Sequence, residues 1–183
     1  MTTTNLSTIS ADPDATHILA FCRSLADSSP VSVPLQPLSD APPNECFHVV
    51  KQHIAVNGGR QVFGWSIWEW PGVYLEAEFH SIWETPDGIL IDVTPKQIHS
   101  DAITFLHEPK KQYEGRQVNN VRKPLVDSLT VRKFIEANNR IFNALNKGAA
   151  KYRNEVAMTP ELARAYRERE RLHCQLVEKF GAR

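Results

Sequence analysis

Cysteine is scarce in this chain. There are three, Cys22, Cys46 and Cys174, far apart and in no CxxC pair. That excludes a disulfide framework and offers no spacing for a structural zinc site. Long apolar runs are missing too, and none approaches the roughly 20 residues that span a bilayer. The start, MTTTNLSTISADPD, has neither a basic n-region nor an apolar h-region. A cytoplasmic protein with no membrane partner is expected. There is no internal repeat, and no net charge, since 21 Lys and Arg balance 21 Asp and Glu.

The charges that cancel overall are unevenly placed. Residues 1–108 carry 4 Lys and Arg against 13 Asp and Glu, and residues 109–183 carry 17 against 8. Such asymmetry marks either a basic surface for an anionic partner or an internal match between two halves. The basic residues are spaced along predicted helices and not bunched in a run. The expectation is therefore that the basic helices dock on the protein's own acidic half, with nucleic acid as the less favoured partner.

Residues 1–12 are small and polar and read as disordered. A helix is predicted from about Asp12-Pro13, with Ile18, Leu19, Phe21, Cys22 and Leu25 on its apolar stripe and Cys22 in the core. Residues 28–43 hold five prolines in sixteen positions and read as an extended connector. A second helix is predicted from Asn44 as N-cap, with Phe47, Val50 and Ile54 facing the core, ending at Asn57-Gly58-Gly59. Strands follow at Gln61–Trp70, Val73–Thr85 and Ile89–Thr94, with a short fourth at Ile103–Leu106. Pro86-Asp87-Gly88 suits a three-residue hairpin loop, which pairs Thr85 with Ile89 and sets His80 diagonal to Asp92 on one face. Residues 107–127 read as a loop. Two helices close the chain, Leu129–Lys147 between Ser128 and Gly148, and Pro160–Phe180 behind Thr159. The second carries a narrow stripe of Leu162, Tyr166, Leu172, Leu176 and Phe180 that packs on the domain or pairs with another copy.

Three residues stand out for chemistry. Cys46 falls in the first turn of a helix, where free N–H groups and the helix dipole favour a thiolate; its plain alternative is a buried structural thiol. His80 shares a strand face with Tyr74, Glu76, Glu78, Ile82 and Glu84, so a surface histidine on a half-polar strand is its alternative. Asp92 sits in the apolar run ILIDVTP, where an unpaired carboxylate is costly and a neighbouring histidine would satisfy it; bonding to local backbone or Thr94 is the alternative. Together they read as nucleophile, base and orienter. A zinc site from Glu76, Glu78, His80, Cys46, His48 and His53 is a weaker option, because no spacing among them matches a ligand motif. His99, His107 and His173 read as surface residues.

The order of these residues resembles the core of transglutaminase-like cysteine enzymes. A helix-starting cysteine is followed by a glycine-ended helix, by GGRQVFGWSIW, and then by FHSIWETPDGILIDVTP, with Cys46, His80, Trp83, Asp87-Gly88, Asp92 and Thr94-Pro95 at the matching positions. The likeness covers about fifty residues. Pro-Pro-Asn precedes Cys46 where that family has a small, glycine-containing approach. The wider papain-like group, bacterial cell-wall peptidases included, shares the Cys–His–polar order. The resemblance implies a Cys46–His80–Asp92 triad that acts on a peptide or protein substrate without a cofactor or metal. An oxyanion hole would use the Cys46 N–H with Asn44 or Gln36. Trp65, Trp68, Glu78 and Trp83 would line a substrate groove, unless the tryptophans are core.

The expected fold is α+β, a small antiparallel sheet packed on the nucleophile-bearing helix in a papain- or transglutaminase-like core, with two C-terminal helices. Residues 1–108 form the core with its N-terminal helix, and 109–183 a basic helical extension packed on the same domain. The expected function is a cysteine hydrolase or acyltransferase. The alternative is a catalytically silent binding or dimerisation module of the same fold, contacting nucleic acid or a second copy through the C-terminal helices.

Overall fold

Two short turns fold the middle of the chain. At Pro71-Gly72, Gly72 takes φ +73° and the Val73 N–H donates to the Trp70 carbonyl at 2.8 Å. This joins β3 (Arg60–Trp70) to β4 (Tyr74–Glu84), paired from Arg60↔Glu84 to Trp70↔Tyr74. At Pro86-Asp87-Gly88, Gly88 takes φ +83° and its N–H donates to the Thr85 carbonyl, while the Thr85 N–H donates to the Ile89 carbonyl. The three-residue loop predicted there forms, and the register Glu84↔Leu90 and Trp83↔Ile91 follows from it. The strand after it is shorter than Ile89–Thr94: β5 is Leu90–Ile91 alone.

The computed structural model describes residues 8–96, 100–147 and 157–181. Among them the other strands are β1 (Ile9–Ser10), β2 (Pro30–Pro34), β6 (Ala102–His107) and β7 (Val121–Pro124), and the helices are α1 (Thr16–Arg23), α2 (Cys46–Asn57), α3 (Leu129–Leu145) and α4 (Pro160–Phe180). The fold is α+β, with one seven-stranded antiparallel sheet rather than three or four strands. Its main path runs β2-β6-β3-β4-β5, with β1 on β3 and β7 on β4. The sheet curls until its ends meet: Leu35 bridges Asp92 in parallel, the Gln36 N–H donates to the Asp92 carbonyl at 2.8 Å, and the Asp92 N–H donates to the Pro34 carbonyl at 3.0 Å. The five strands thus close into a small, irregular barrel.

The two faces of the curl hold different cores. Inside lie Val33, Val62, Trp68, Ile82, Ile103 and Phe105. Outside, Trp65, Ile67, Leu75, Ala77, Phe79 and Leu106 pack on Ile18, Phe21 and Cys22 of α1. Val49 and Val50 of α2 pack on Val93, Ile91 and Trp83. Trp70, Val73 and Tyr74 receive α3 and α4 through Val131, Phe134, Leu172 and Leu176. The α4 stripe expected to pack or to pair is therefore turned towards its own chain.

Several boundaries differ from expectation. Residues 9–11 are ordered, because β1 pairs with β3 and Ala11 is buried. Asp12 caps a turn through the Asp14 N–H, and the first helix begins only at Thr16. The proline-rich connector contains β2, and the 107–127 loop contains β7. Among the described residues β7 pairs with β4 alone and β2 meets the Asp92 segment only at its Pro34 end, so each leaves a free edge where a missing N–H is tolerated. Gly148 lies outside the described residues. Residues 109–183 meet the acidic half through β7 and the loop before it, Arg122 with Glu76 at 2.7 Å and Lys110 with Asp27 at 2.8 Å, whereas Arg132, Arg140 and Arg169 of α3 and α4 pair with Asp127, Glu168 and Glu170 of their own half.

Gly64 shows how tightly the curl is packed. A Cβ there would stand 2.2 Å from the Leu106 carbonyl oxygen and 2.6 Å from Phe105 Cζ. Gly64→Ala is expected to cost about 2–3 kcal/mol by overpacking, read as a lower urea midpoint at constant slope. An unchanged midpoint would mean that β3 and β6 approach less closely than this.

Candidate active site

The site is assembled where the curl closes. Residues 34–44 run beside residues 92–95, tied by Gln36 to Asp92 and by two further N–H groups, Leu38 to the Val93 carbonyl and Asn44 to the Pro95 carbonyl, at 3.1 and 3.2 Å. This ladder sets the start of α2 against the segment that carries Asp92. Asn44 is not the N-cap. It turns with φ +63°, a conformation asparagine tolerates, and Glu45 takes the cap position without a side-chain bond. The first helical residue is Cys46, so its N–H belongs to the uncapped first turn.

Cys46, His80 and Asp92 come together at the open stretch of the β4 edge, between the segment paired with β7 and the segment paired with β5. His80 is not a surface residue on a half-polar strand. It faces into the curl and is 2% exposed, beside Asp92 at 0%. His80 Nε2 lies 2.9 Å from Asp92 Oδ2, and Asp92 Oδ1 accepts from the Thr94 N–H at 3.0 Å. An ionised carboxylate only accepts, so Nε2 carries a proton and Nδ1 is the nitrogen left for the thiol.

The ionisation states follow from these contacts. Burial works against the charged form of Asp92, but the His80 charge and hydrogen bond, the Lys96 charge and the Thr94 N–H together outweigh it and hold the carboxyl down at about 2. Burial and Lys96 oppose a charged His80, yet Asp92 and Cys46 bring it up to about 9. Burial also opposes a Cys46 thiolate; the His80 charge and hydrogen bond, the Ser81 backbone and Lys96 overcome it, and the thiol falls below its ordinary value. Cys22, with burial alone acting on it, is pushed up to about 11. A thiolate–imidazolium pair is the resting state that this set of charges favours.

The other expected residues divide. Gln36 and Asn44 are exposed, and each gives a backbone N–H to the ladder. Trp65 is core on the outer face. Trp83 lies against α2, its Nε1–H donating to the Gly58 carbonyl at 2.9 Å and its ring edge-on to His53. Trp68 is inside the curl and donates to Glu78 Oε2 at 3.1 Å. These four hold the frame. Glu76 is taken by Arg122 and Asn120, and among the described residues no three His, Cys, Asp or Glu side chains are set to hold a metal ion.

Four residues near the site went unread in the sequence. Gln61 Nε2 donates to the Phe47 carbonyl at 3.2 Å and to Ser81 Oγ at 2.9 Å, which pins the first turn of α2 to the sheet. Ser81 gives Cys46 its backbone contact. Tyr113 stacks on Phe47 with ring centroids 3.9 Å apart, and burial, then Glu45 and Cys46, raise its phenol. Lys96 stands beside both His80 and Asp92. The only available signal was position: Ser81 neighbours His80 and Lys96 follows Asp92 by four residues, while Gln61 and Tyr113 had none. No family model, curated protein or solved structure matches the chain. No helix among the described residues is long and apolar enough to cross a membrane.

Proposed function

We propose that the chain is a thiol acyl-transfer enzyme, a cysteine hydrolase or acyltransferase for a peptide, isopeptide or amide bond, with a papain- or transglutaminase-like core. The observation that carries this reading is the line from Asp92 through His80 to a thiol that the imidazole ionises. Cys46 Sγ, its proton already on His80, attacks the carbonyl carbon, and the π electrons move to oxygen. The N–H groups of the first turn of α2 supply the positive dipole for that oxyanion. His80 gives its proton to the leaving amine as the C–N bond breaks, and a thioester remains on Cys46. Water or an acceptor amine then loses a proton to His80, attacks the thioester and frees the thiolate. Asp92 stays ionised and fixes the imidazole tautomer.

The test offers fluorogenic peptide, isopeptide and amide donors to wild type and Cys46→Ala, with acid quenching and mass spectrometry. Turnover and a hydroxylamine-labile acyl group on Cys46 are expected in wild type alone. A silent binding module has one observation in its favour, the 5% exposure of Cys46 under its neighbours. No turnover and no adduct on Cys46 would select that module.

A further inference from the structure

Lys96 has a buried ammonium that the triad chemistry does not use. Its side chain is 7% exposed. Its Nζ lies 3.5 Å from Asp92 Oδ2 and 3.4 Å from His80 Nε2, and 5.7 Å from the centre of the Trp68 ring. Nε2–H and the ammonium are both donors, so they do not bond each other. Both address the same carboxylate oxygen, and the other oxygen is fixed by the Thr94 N–H. A lysine is rarely buried without a charge reason.

That reason is neutrality. In the thiolate–imidazolium state, Cys46 and Asp92 each carry a negative charge and His80 one positive charge. Without a further cation the buried group would hold one net negative charge in a low-dielectric site, which is costly. Lys96 brings it to zero. We propose that Lys96 is a positioning residue, whose ammonium turns Asp92 Oδ2 to His80 and balances the charge of the cluster so that the thiolate persists in a buried site. This rests on the acyl-transfer reading and adds to it the group that lets the site stay charged while closed. The groups facing His80 are Cys46 from α2, with Glu45 and Tyr113 near it, Asp92 and Lys96 from the segment after β5, and on β4 Glu78, engaged by Trp68. The directions agree: Lys96 lowers Cys46, His80 and Asp92 alike.

The experiment compares wild type, Lys96→Met and Lys96→Arg as full chains, each checked for native circular dichroism and thermal unfolding. Met keeps the stem against Trp68 and drops the charge; Arg keeps the charge. Cys46 alkylation by iodoacetamide is followed against pH, and the His80 ring is titrated by NMR. In Lys96→Met the Cys46 profile is expected to move to higher pH, with about tenfold slower alkylation at pH 6, and His80 to titrate above its wild-type midpoint. Lys96→Arg is expected to fall back towards wild type in both. A folded Lys96→Met whose two titrations coincide with wild type overturns the proposal. So does a Lys96→Arg shifted as far as Met, since charge would then not be what Lys96 supplies. If both lysine variants misfold, although one keeps the stem and the other the charge, the fold needs the lysine head itself, and the charge-balancing proposal is likewise overturned. A wild-type Cys46 that titrates as a free thiol overturns the acyl-transfer reading instead. The His80 titration still reads the Lys96–Asp92–His80 coupling in that case.

Discussion

At pH 6, Cys46 of the wild-type protein is expected to be alkylated on the order of 100-fold faster than in His80→Ala. An ordinary thiol is only about 0.3% ionised at that pH. A thiol held as thiolate by an imidazolium is largely ionised, and its lower intrinsic nucleophilicity returns part of the gain. The profile follows from two shifts of opposite sense. Cys46 is lowered, and His80 is raised to about 9. The two shifts favour the charged pair, so the wild-type alkylation rate should climb less steeply across neutral pH than that of His80→Ala. Above about 9 the imidazolium loses its proton and the thiolate remains. Alkylation should then hold steady while acyl transfer falls, because the leaving amine has lost its acid. Cys22 is the buried control and Cys174 the exposed one. A wild-type Cys46 rate that climbs tenfold per pH unit from 6 to 8, in parallel with His80→Ala, would remove the ion pair and the mechanism with it.

The meeting of His80 with Asp92 was legible, because short-range signals decide its geometry. Pro86-Asp87-Gly88 specifies a three-residue loop, the loop specifies register, and the register puts His80 and Asp92 on one face. Each step is local in sequence, and the observed pairing Trp83↔Ile91 agrees with it. The Pro71-Gly72 turn and the glycine end of α2 are local in the same way.

The closure of the curl was not legible, and it decides the environment of the site. β2 is hidden among prolines and gains its identity from partners far along the chain, Ala102–Leu106 on one side and Asp92 on the other. Glutamates 76, 78 and 84 made the His80 face look half-polar and solvated. Each is instead engaged, Glu76 by Arg122 and Asn120, Glu78 by Trp68 and Glu84 by Arg60. Alternation alone does not separate a solvated polar face from a paired one. Lys96 escaped notice for the same reason, since a lysine after Asp-Val-Thr-Pro reads as a strand-end surface residue until Trp68, His80 and Asp92 are brought round it.

The Asp92 carboxylate, fully buried, meets His80 and Lys96 through one oxygen and the Thr94 N–H through the other, so its substitution should cost more than that of any other side chain of the site. Asp92→Ala leaves two buried cations, His80 and Lys96, with Cys46 as their one counter-charge, and the Thr94 N–H without its acceptor. Breaking a buried pair in this way costs about 3–5 kcal/mol. Asp92→Asn keeps the shape and the backbone ladder and removes the charge. Its loss of stability should be smaller, while acyl transfer falls by about 10³–10⁴, because an amide facing Nε2 no longer selects the tautomer that presents Nδ1 to Cys46. The stability difference between wild type and Asp92→Asn should itself depend on pH. Asp92 is depressed to about 2, so its contribution is full above the ordinary carboxylate range and lost as pH falls towards 2. His80 is raised to about 9, so its share is full below the ordinary imidazole range and lost as pH rises through 9. Urea unfolding at pH 3, 6 and 10 should therefore give the largest difference at pH 6 and a smaller one on both sides. A difference that stays constant across the three would mean that the carboxylate differs from the amide only in its hydrogen bonding, with no ion pair to His80.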